Sequence, residues 1–299
     1  MKKSVSLLLA ALMLTGALAG CGSSASASDT QAEDGADSGV SGAITVISRE
    51  DGSGTRGAFI ELTGVEEKTA DGKKVDNTTA DAEIANKTDV VLTSVAGNEK
   101  AIGYISLGAL NDTVKAVKVD GAEATVDNVK AGAYKLSRPF NIATKGEPTG
   151  LAKDFINFIL SKEGQAVVTD NKYIAVNDAA ESFVSDGSSG QIAVGGSSSV
   201  SPVMEKLIEA YKSVNPNASI DLQTSDSTSG MTGAMDGTFA IGMASRELKD
   251  EEAAQLTGTA IALDGIAVIV NPANTIDELS MDQIKSIYVG DITDWGDLA

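Results

Sequence analysis

From Ala43 onward, short β-rich runs alternate with stretches of helical periodicity, and this alternation limits the folds open to the chain. Residues 44–47, 101–107, 114–119, 140–144, 192–194, 220–223, 239–243 and 261–270 read as strands. Leu151, Phe155, Phe158 and Ile159 share one helical face, in a helix expected to end near Gly164. Met204, Leu207, Ile208 and Tyr211 keep the i, i+3, i+4, i+7 spacing of an amphipathic helix, which Pro216 stops. Ser280 and Gln283 form a capping box that opens a last helix carrying Met281, Ile284 and Tyr288. Strands alternating with helices make an α/β protein. A chain of 299 residues is long enough for two lobes, each with its own core. Residues 178–190 are polar and rich in Gly and Ser, and read as a linker.

The first residues have a different character. Lys2 and Lys3 precede an apolar run over residues 5–18, followed by Ala19, Gly20 and Cys21. A basic start, a short apolar stretch and small residues describe a signal peptide over residues 1–20. The run is shorter than the roughly 20 apolar residues of a membrane span. Residues 21–42 hold mostly Ser, Ala, Gly and Asp, a composition that buries too little surface to order itself, and are expected to be a flexible tether.

Composition excludes several functions. The chain has no His, so a Ser-His-Asp or Cys-His nucleophile system is impossible. One Cys makes neither an internal disulfide nor a Cys/His zinc site. A net charge of −19 argues against a nucleic-acid partner, which needs a basic surface. Asp291, Asp294 and Asp297 lack the spacing and the bidentate Glu of a calcium loop, and are expected to be a solvated turn. No metal or cofactor is expected.

Three Ser/Gly-rich segments stand between a strand and a helix: residues 48–56 (SREDGSGTR), residues 195–202 (GGSSSVSP) and residues 225–230 (SDSTSG). Glycines there admit close approach of backbone N–H groups, and a helix start supplies unpaired donors and partial positive charge. Pro202 suits the first helical position, which places Ser201 at the N-cap. Such turns are anion sites, or simply capped helix starts. None carries the Walker lysine or the GxSxG elbow.

Together with IGMASREL from Ile241, ALDGIAVIVNPAN from Ala262 and IYVGDITDWGDL ending at Leu298, these segments resemble the phosphate-specific ABC transporter substrate-binding proteins. Cys21, after its small residues, resembles the lipidated cysteine of a bacterial lipobox. The resemblance implies a two-lobe, type II periplasmic-binding-protein-like fold, with mixed sheets flanked by helices and a ligand cleft between the lobes. It implies inorganic phosphate as ligand, ABC permease membrane subunits as partners and a lipid-anchored place on the extracytoplasmic face of the cell membrane. Carried over motif by motif, the ligand residues are Arg49, Ser53, Gly54, Thr55, Ser199, Val200 and Ser227, with Asp51 holding Arg49 by a salt bridge. Where several family members place an aspartate after the IGMAS-type strand, this chain has Ser245, followed by Arg246. Ser245 accepts a hydrogen bond but carries no charge to repel sulfate, so another tetrahedral oxyanion remains open. Arg246 is either a second cationic contact or a surface residue, and Asp264 is expected in a turn.

Motif order departs from the family, because SREDGSGTR comes first and DITDW last. The chain therefore resembles a circular permutant, with residues 43–130 and 272–299 forming one lobe and residues 131–271 the other. An intact permutant pairs its first and last segments within one molecule; a truncated or rearranged gene and a swapped dimer are the alternatives. A non-transporting sensor or adhesion lipoprotein on the same fold is the other reading of function. An enzyme such as a phosphatase is disfavoured by the missing His.

Overall fold

The computed structural model describes residues 40–298. The expected signal peptide, Cys21 and most of the tether lie outside the described residues, as does Ala299. The tether's last residues are tied down. Val40 N donates to Thr275 Oγ1 at 3.2 Å and Gly42 N to Asp294 Oδ1 at 2.9 Å. Ile44 N donates to Thr293 O at 2.8 Å and Trp295 N to Gly42 O at 3.1 Å, so the first and last described segments pair within one chain. Asp294 also accepts from Gly296 N, which makes this acidic segment an ordered corner.

The strands and helices follow in chain order. The first stretch holds β1 (Thr45–Arg49), α1 (Gly54–Thr63), β2 (Glu66–Lys68), β3 (Lys74–Asp76), β4 (Glu83–Ala85), α2 (Thr88–Ala96) and β5 (Ala101–Ser106). After it come β6 (Lys115–Ala116), β7 (Lys118–Val119), α3 (Val126–Lys130), β8 (Ser137–Thr144), α4 (Gly150–Leu160) and α5 (Lys162–Asp170). Beyond residues 178–190 are β9 (Gly190–Ser197), α6 (Ser201–Val214), β10 (Ala218–Ser225), α7 (Ser227–Asp236), β11 (Ile241–Ala244), α8 (Asp250–Ala253) and β12 (Thr257–Val270). The chain closes with β13 (Glu278–Leu279) and α9 (Met281–Val289).

One sheet runs β10-β9-β11-β8-β12-β5-β1-β4, with β6 against β12. Its two flanks are parallel, β10/β9/β11 on one side and β5/β1/β4 on the other. Antiparallel β8 and β12 join them. The 14-residue β12 pairs with β8 as far as Gly265 and with β5 from Ile266 onward. This is the mixed α/β sheet the alternation predicts.

Two main cores follow from that sheet. The first gathers Ile47, Phe59, Tyr104, Leu136, Ile266–Val270, Tyr288 and Trp295. The second gathers Phe140, Phe155, Phe158, Met204, Leu207, Tyr211 and Ile261. They divide the chain elsewhere than at 130/131 and 271/272: Tyr134, Leu136 and Ile266–Val270 all belong to the first core. The reason is that β12 passes from the second core to the first in mid-strand and the chain changes cores between Leu136 and Phe140 at the start of β8, and an apolar strand carries no mark where it changes neighbours.

Other boundaries shift for local reasons. The helix expected to end near Gly164 stops at Leu160, because Ser161 caps a new helix, its Oγ accepting from Gly164 N at 3.2 Å. The expected strand over 114–119 divides into β6 and β7 because residues 115–117 stay on β12, Val117 N donating to Val268 O, whereas Lys118 N turns to Asp277 O beside β13. Residues 178–189 form no regular element but lie strapped to the second core. Phe183 packs on Phe158 and Tyr211. Asp154, 1% exposed, accepts hydrogen bonds from Ser185 Oγ, Asp186 N and Tyr211 Oη.

Candidate functional site

Four helices begin close together, each after a strand of a parallel flank: α1 after β1, α2 after β4, α6 after β9 and α7 after β10. Their first turns present backbone N–H groups and about half an elementary positive charge each. Local sequence explains the starts. Ser53 caps α1 by accepting from Arg56 N, and Asp226 caps α7 by accepting from Ser229 N. Val200, not Ser201, is the N-cap of α6, so the helix begins one residue earlier than Pro202 predicts.

At this meeting point the hydroxyls interlock. Thr55 Oγ1 lies 2.8 Å from Ser199 Oγ and 3.5 Å from Ser245 Oγ. Ser197 Oγ donates to Ser245 Oγ at 3.0 Å, and Ser245 N donates to Ser227 Oγ at 3.1 Å. Thr88 Oγ1 is 3.4 Å from both Ser198 and Ser199 Oγ. All seven residues are buried, Ser227 and Ser245 completely. Gly54 lies at the centre of this contact. A Cβ added there would press on Ser227 Oγ and Ser245 Oγ, so a side chain would have to displace both hydroxyls.

Arg49 supplies the charge and is 2% exposed. Its Nε and Nη2 donate to the two Glu50 carboxylate oxygens at 2.8 and 2.7 Å, and Nη2 also to Ser198 Oγ at 3.1 Å. Asp51 does not hold Arg49. It pairs with Arg56 at 3.0 Å, its side chain 98% exposed in the turn after β1. The guanidinium instead turns back toward Ala85 O and the Glu50 carboxylate. Tyr104 Oη backs the same strand, accepting from Arg49 N at 3.1 Å.

Arg49, Ser53, Gly54, Thr55, Ser199, Ser227 and Ser245 are thus brought together, and Val200 is not. Its side chain sits in the second core, and its N–H donates to Ser197 O at 3.0 Å. Arg246 is tied off by Glu252, through Nη1 at 2.7 Å and Nη2 at 2.8 Å. Burial pushes the Glu252 carboxyl up, and Arg246 together with the Lys249 N–H and ammonium more than reverses it, so its pKa falls below the ordinary value. Asp264 lies in β12 rather than a turn, paired with Arg138. Thr88 escaped the sequence reading because Lys87 stands at its helix cap and no Ser/Gly run precedes it. Among the described residues no group of three or more His, Cys, Asp or Glu could hold a metal ion.

With this geometry in place, comparison with known proteins is decisive. Residues 25–163 and 182–299 match the model of the PBP superfamily domain. The phosphate-binding protein PstS 2 of Streptococcus agalactiae is 50% identical over 300 residues, covering 99% of this chain and 98% of that protein. The chain belongs to the PstS family of the PBP superfamily. A second PstS 2, from Streptococcus pneumoniae, is 49% identical over 296 residues and covers 99% of both chains. A crystal structure described as a phosphate ABC transporter, phosphate-binding protein from Streptococcus pneumoniae superposes with a TM-score of 0.69 at 50% identity, over 86% of this chain and all of that one. The fold is therefore the two-lobe fold of the periplasmic binding proteins. Collinear matches of this extent mean that the motif order is one these PstS relatives share.

Proposed function

We propose that this chain is an extracytoplasmic receptor that binds inorganic phosphate and delivers it to ABC permease subunits for import. The observation that carries the reading is the closed cluster of Arg49 and seven buried hydroxyl residues at four helix starts. Relatives bearing the name phosphate-binding protein cover nearly all of the chain at 50% identity. Arg49, Ser53, Gly54, Thr55, Ser199, Ser227 and Ser245 are the proposed ligand set, joined by Thr88, Ser197 and Ser198. A dehydrated oxyanion there replaces hydroxyl–hydroxyl contacts with charge-assisted hydrogen bonds, each worth about 1.5–3 kcal/mol.

In this reading the lobes divide where the cores do, between Leu136 and Phe140 and between Ala262 and Ile266. The chain acts by binding, without turnover, and Cys21 carries a lipid anchor. No helix among the described residues is long and apolar enough to cross a membrane. Equilibrium binding of radiolabelled phosphate to the purified protein tests the function: saturable uptake that Arg49→Ala abolishes is expected, and no saturable uptake refutes it.

Ligand choice has a second reading. No carboxylate accepts a hydrogen bond from the hydroxyls of Thr55, Thr88, Ser197, Ser198, Ser199, Ser227 or Ser245 among the described residues. Without a carboxylate to accept the proton of hydrogen phosphate, the cluster discriminates weakly against other tetrahedral oxyanions.

A further inference from the structure

The chain has four arginines, and the structure accounts for three of them. Arg49 is held by Glu50, Arg56 by Asp76 and Asp51, and Arg246 by Glu252. Arg138 differs. It is 2% exposed, its Nη2 donates to Asp264 Oδ2 at 3.2 Å, and its Nε and Nη1 have no partner among the described residues. The other buried orphans are Ser106 Oγ and Tyr173 Oη, both beside the Arg138–Asp264 pair. All four atoms can donate, and the two guanidinium nitrogens can do nothing else. A buried guanidinium edge without an acceptor is costly, so its complement is a group made of acceptors.

Topology puts Arg138 at the same end of the sheet as the site. Strands β9, β10 and β11 end at Ser197, Ser225 and Ala244, and β1 and β4 end at Arg49 and Ala85. Strand β8 runs antiparallel to β11, so its start at Ser137 lies at the same border of the sheet. Arg138 shares a groove with Gly57 of α1 and Arg246, whose rim also carries Glu61, Glu247 and Glu251. Burial pushes the Arg138 guanidinium down to about 10, Asp264 opposes this, and the positive charge of Arg49 lowers it further.

We infer that Arg138 is a second cationic residue of the anion site, its Nε–Nη1 edge donating to the bound oxyanion, with Asp264 as the counter-ion that holds it when the anion is absent. This rests on the proposed phosphate binding and adds a residue to it.

Opposite-sign variants test the assignment, by calorimetric titration of the purified protein with inorganic phosphate. Arg138→Gln removes the donor edge and is expected to weaken phosphate binding at least tenfold. Asp264→Asn removes the competing carboxylate and is expected to tighten it. A pair serving structure alone is broken by either change, and phosphate affinity then moves the same way in both variants or in neither; that result overturns the assignment. Should Arg138→Gln fail to fold, Arg138→Lys serves: it keeps a charge for Asp264 but lacks the guanidinium fork. A fall of at least threefold in phosphate affinity supports the assignment, and unchanged affinity overturns it. A parent protein that takes up no phosphate refutes the function itself; a parent that binds, with variants moving together, refutes only the role of Arg138.

Discussion

Thr55 Oγ1 and Ser199 Oγ lie 2.8 Å apart although 144 positions separate them. Thr55 belongs to the first turn of α1 beside the first core, and Ser199 to the turn before α6 beside the second. Their contact shows the two halves shut directly on each other, hydroxyl to hydroxyl, so any ligand bound between them loses its water.

Arg49→Lys separates charge from geometry. Lysine keeps the charge but not the two-pronged donor that spans Glu50 and Ser198. Losing one or two charge-assisted hydrogen bonds of about 1.5–3 kcal/mol each predicts roughly tenfold or greater weakening of phosphate binding. Calorimetric titration reads this directly.

Gly54→Ala is expected to block closure rather than unfold the chain. The new methyl would press on Ser227 and Ser245, at 2.4 and 2.8 Å, which belong to the opposing half. The unliganded thermal midpoint should change little, whereas phosphate affinity falls and small-angle scattering shows no contraction with phosphate. A variant that binds and contracts like the parent contradicts the closed geometry.

Ser245→Asp puts a carboxylate beside Thr55 and Ser197. It should accept the proton of hydrogen phosphate and repel sulfate. Competition binding is expected to show sulfate displaced from the site far more readily than phosphate; equal losses for both anions argue that Ser245 does not face the ligand.

Asp154→Ala should loosen the strap formed by residues 178–190. It strips acceptors from Ser185, Asp186 and Tyr211, leaving the buried Tyr211 hydroxyl with Asn215. A loss of about 2–4 kcal/mol in urea unfolding is expected, with faster proteolysis near Ser185. Cleavage no faster than in the parent would show that Phe183 alone suffices.

Asp264 gives stability a pH signature. Burial raises its carboxyl to about 6 against the pull of Arg138 and the Gly108 N–H. The folded state then holds a proton that the unfolded state, titrating near 3.8, has released. Its contribution is full below that lower value and is lost as pH rises through about 6. Chemical unfolding across this window should show Asp264→Asn with a flatter profile than the parent.

Much of this was legible in the residues. Alternation of strand and helix announced the α/β class, and small-residue runs marked the segments 48–56, 195–202 and 225–230 that lead into α1, α6 and α7. What stayed hidden was long-range. Nothing in SREDG says that Arg49 turns to Glu50 rather than Asp51, since both stand within two positions and only the turn decides which faces water. Thr88 carries no Ser/Gly signature, and it joins the site because β4 pairs with β1. Asp264 looked like a turn residue because Asp-Gly usually is one, and the long strand β12 overrode it.

The pairing of the chain's ends has a mechanical consequence. Val40 and Gly42 are bonded to Thr275 and Asp294, both beside the first core. Tension from whatever holds the chain upstream therefore enters that half alone. The half bearing α6 and α7 receives it only through the strands that cross between the cores. With the proposed anchor at Cys21, the half built on the first core is the one held, and the half bearing α6 and α7 carries none of that load directly.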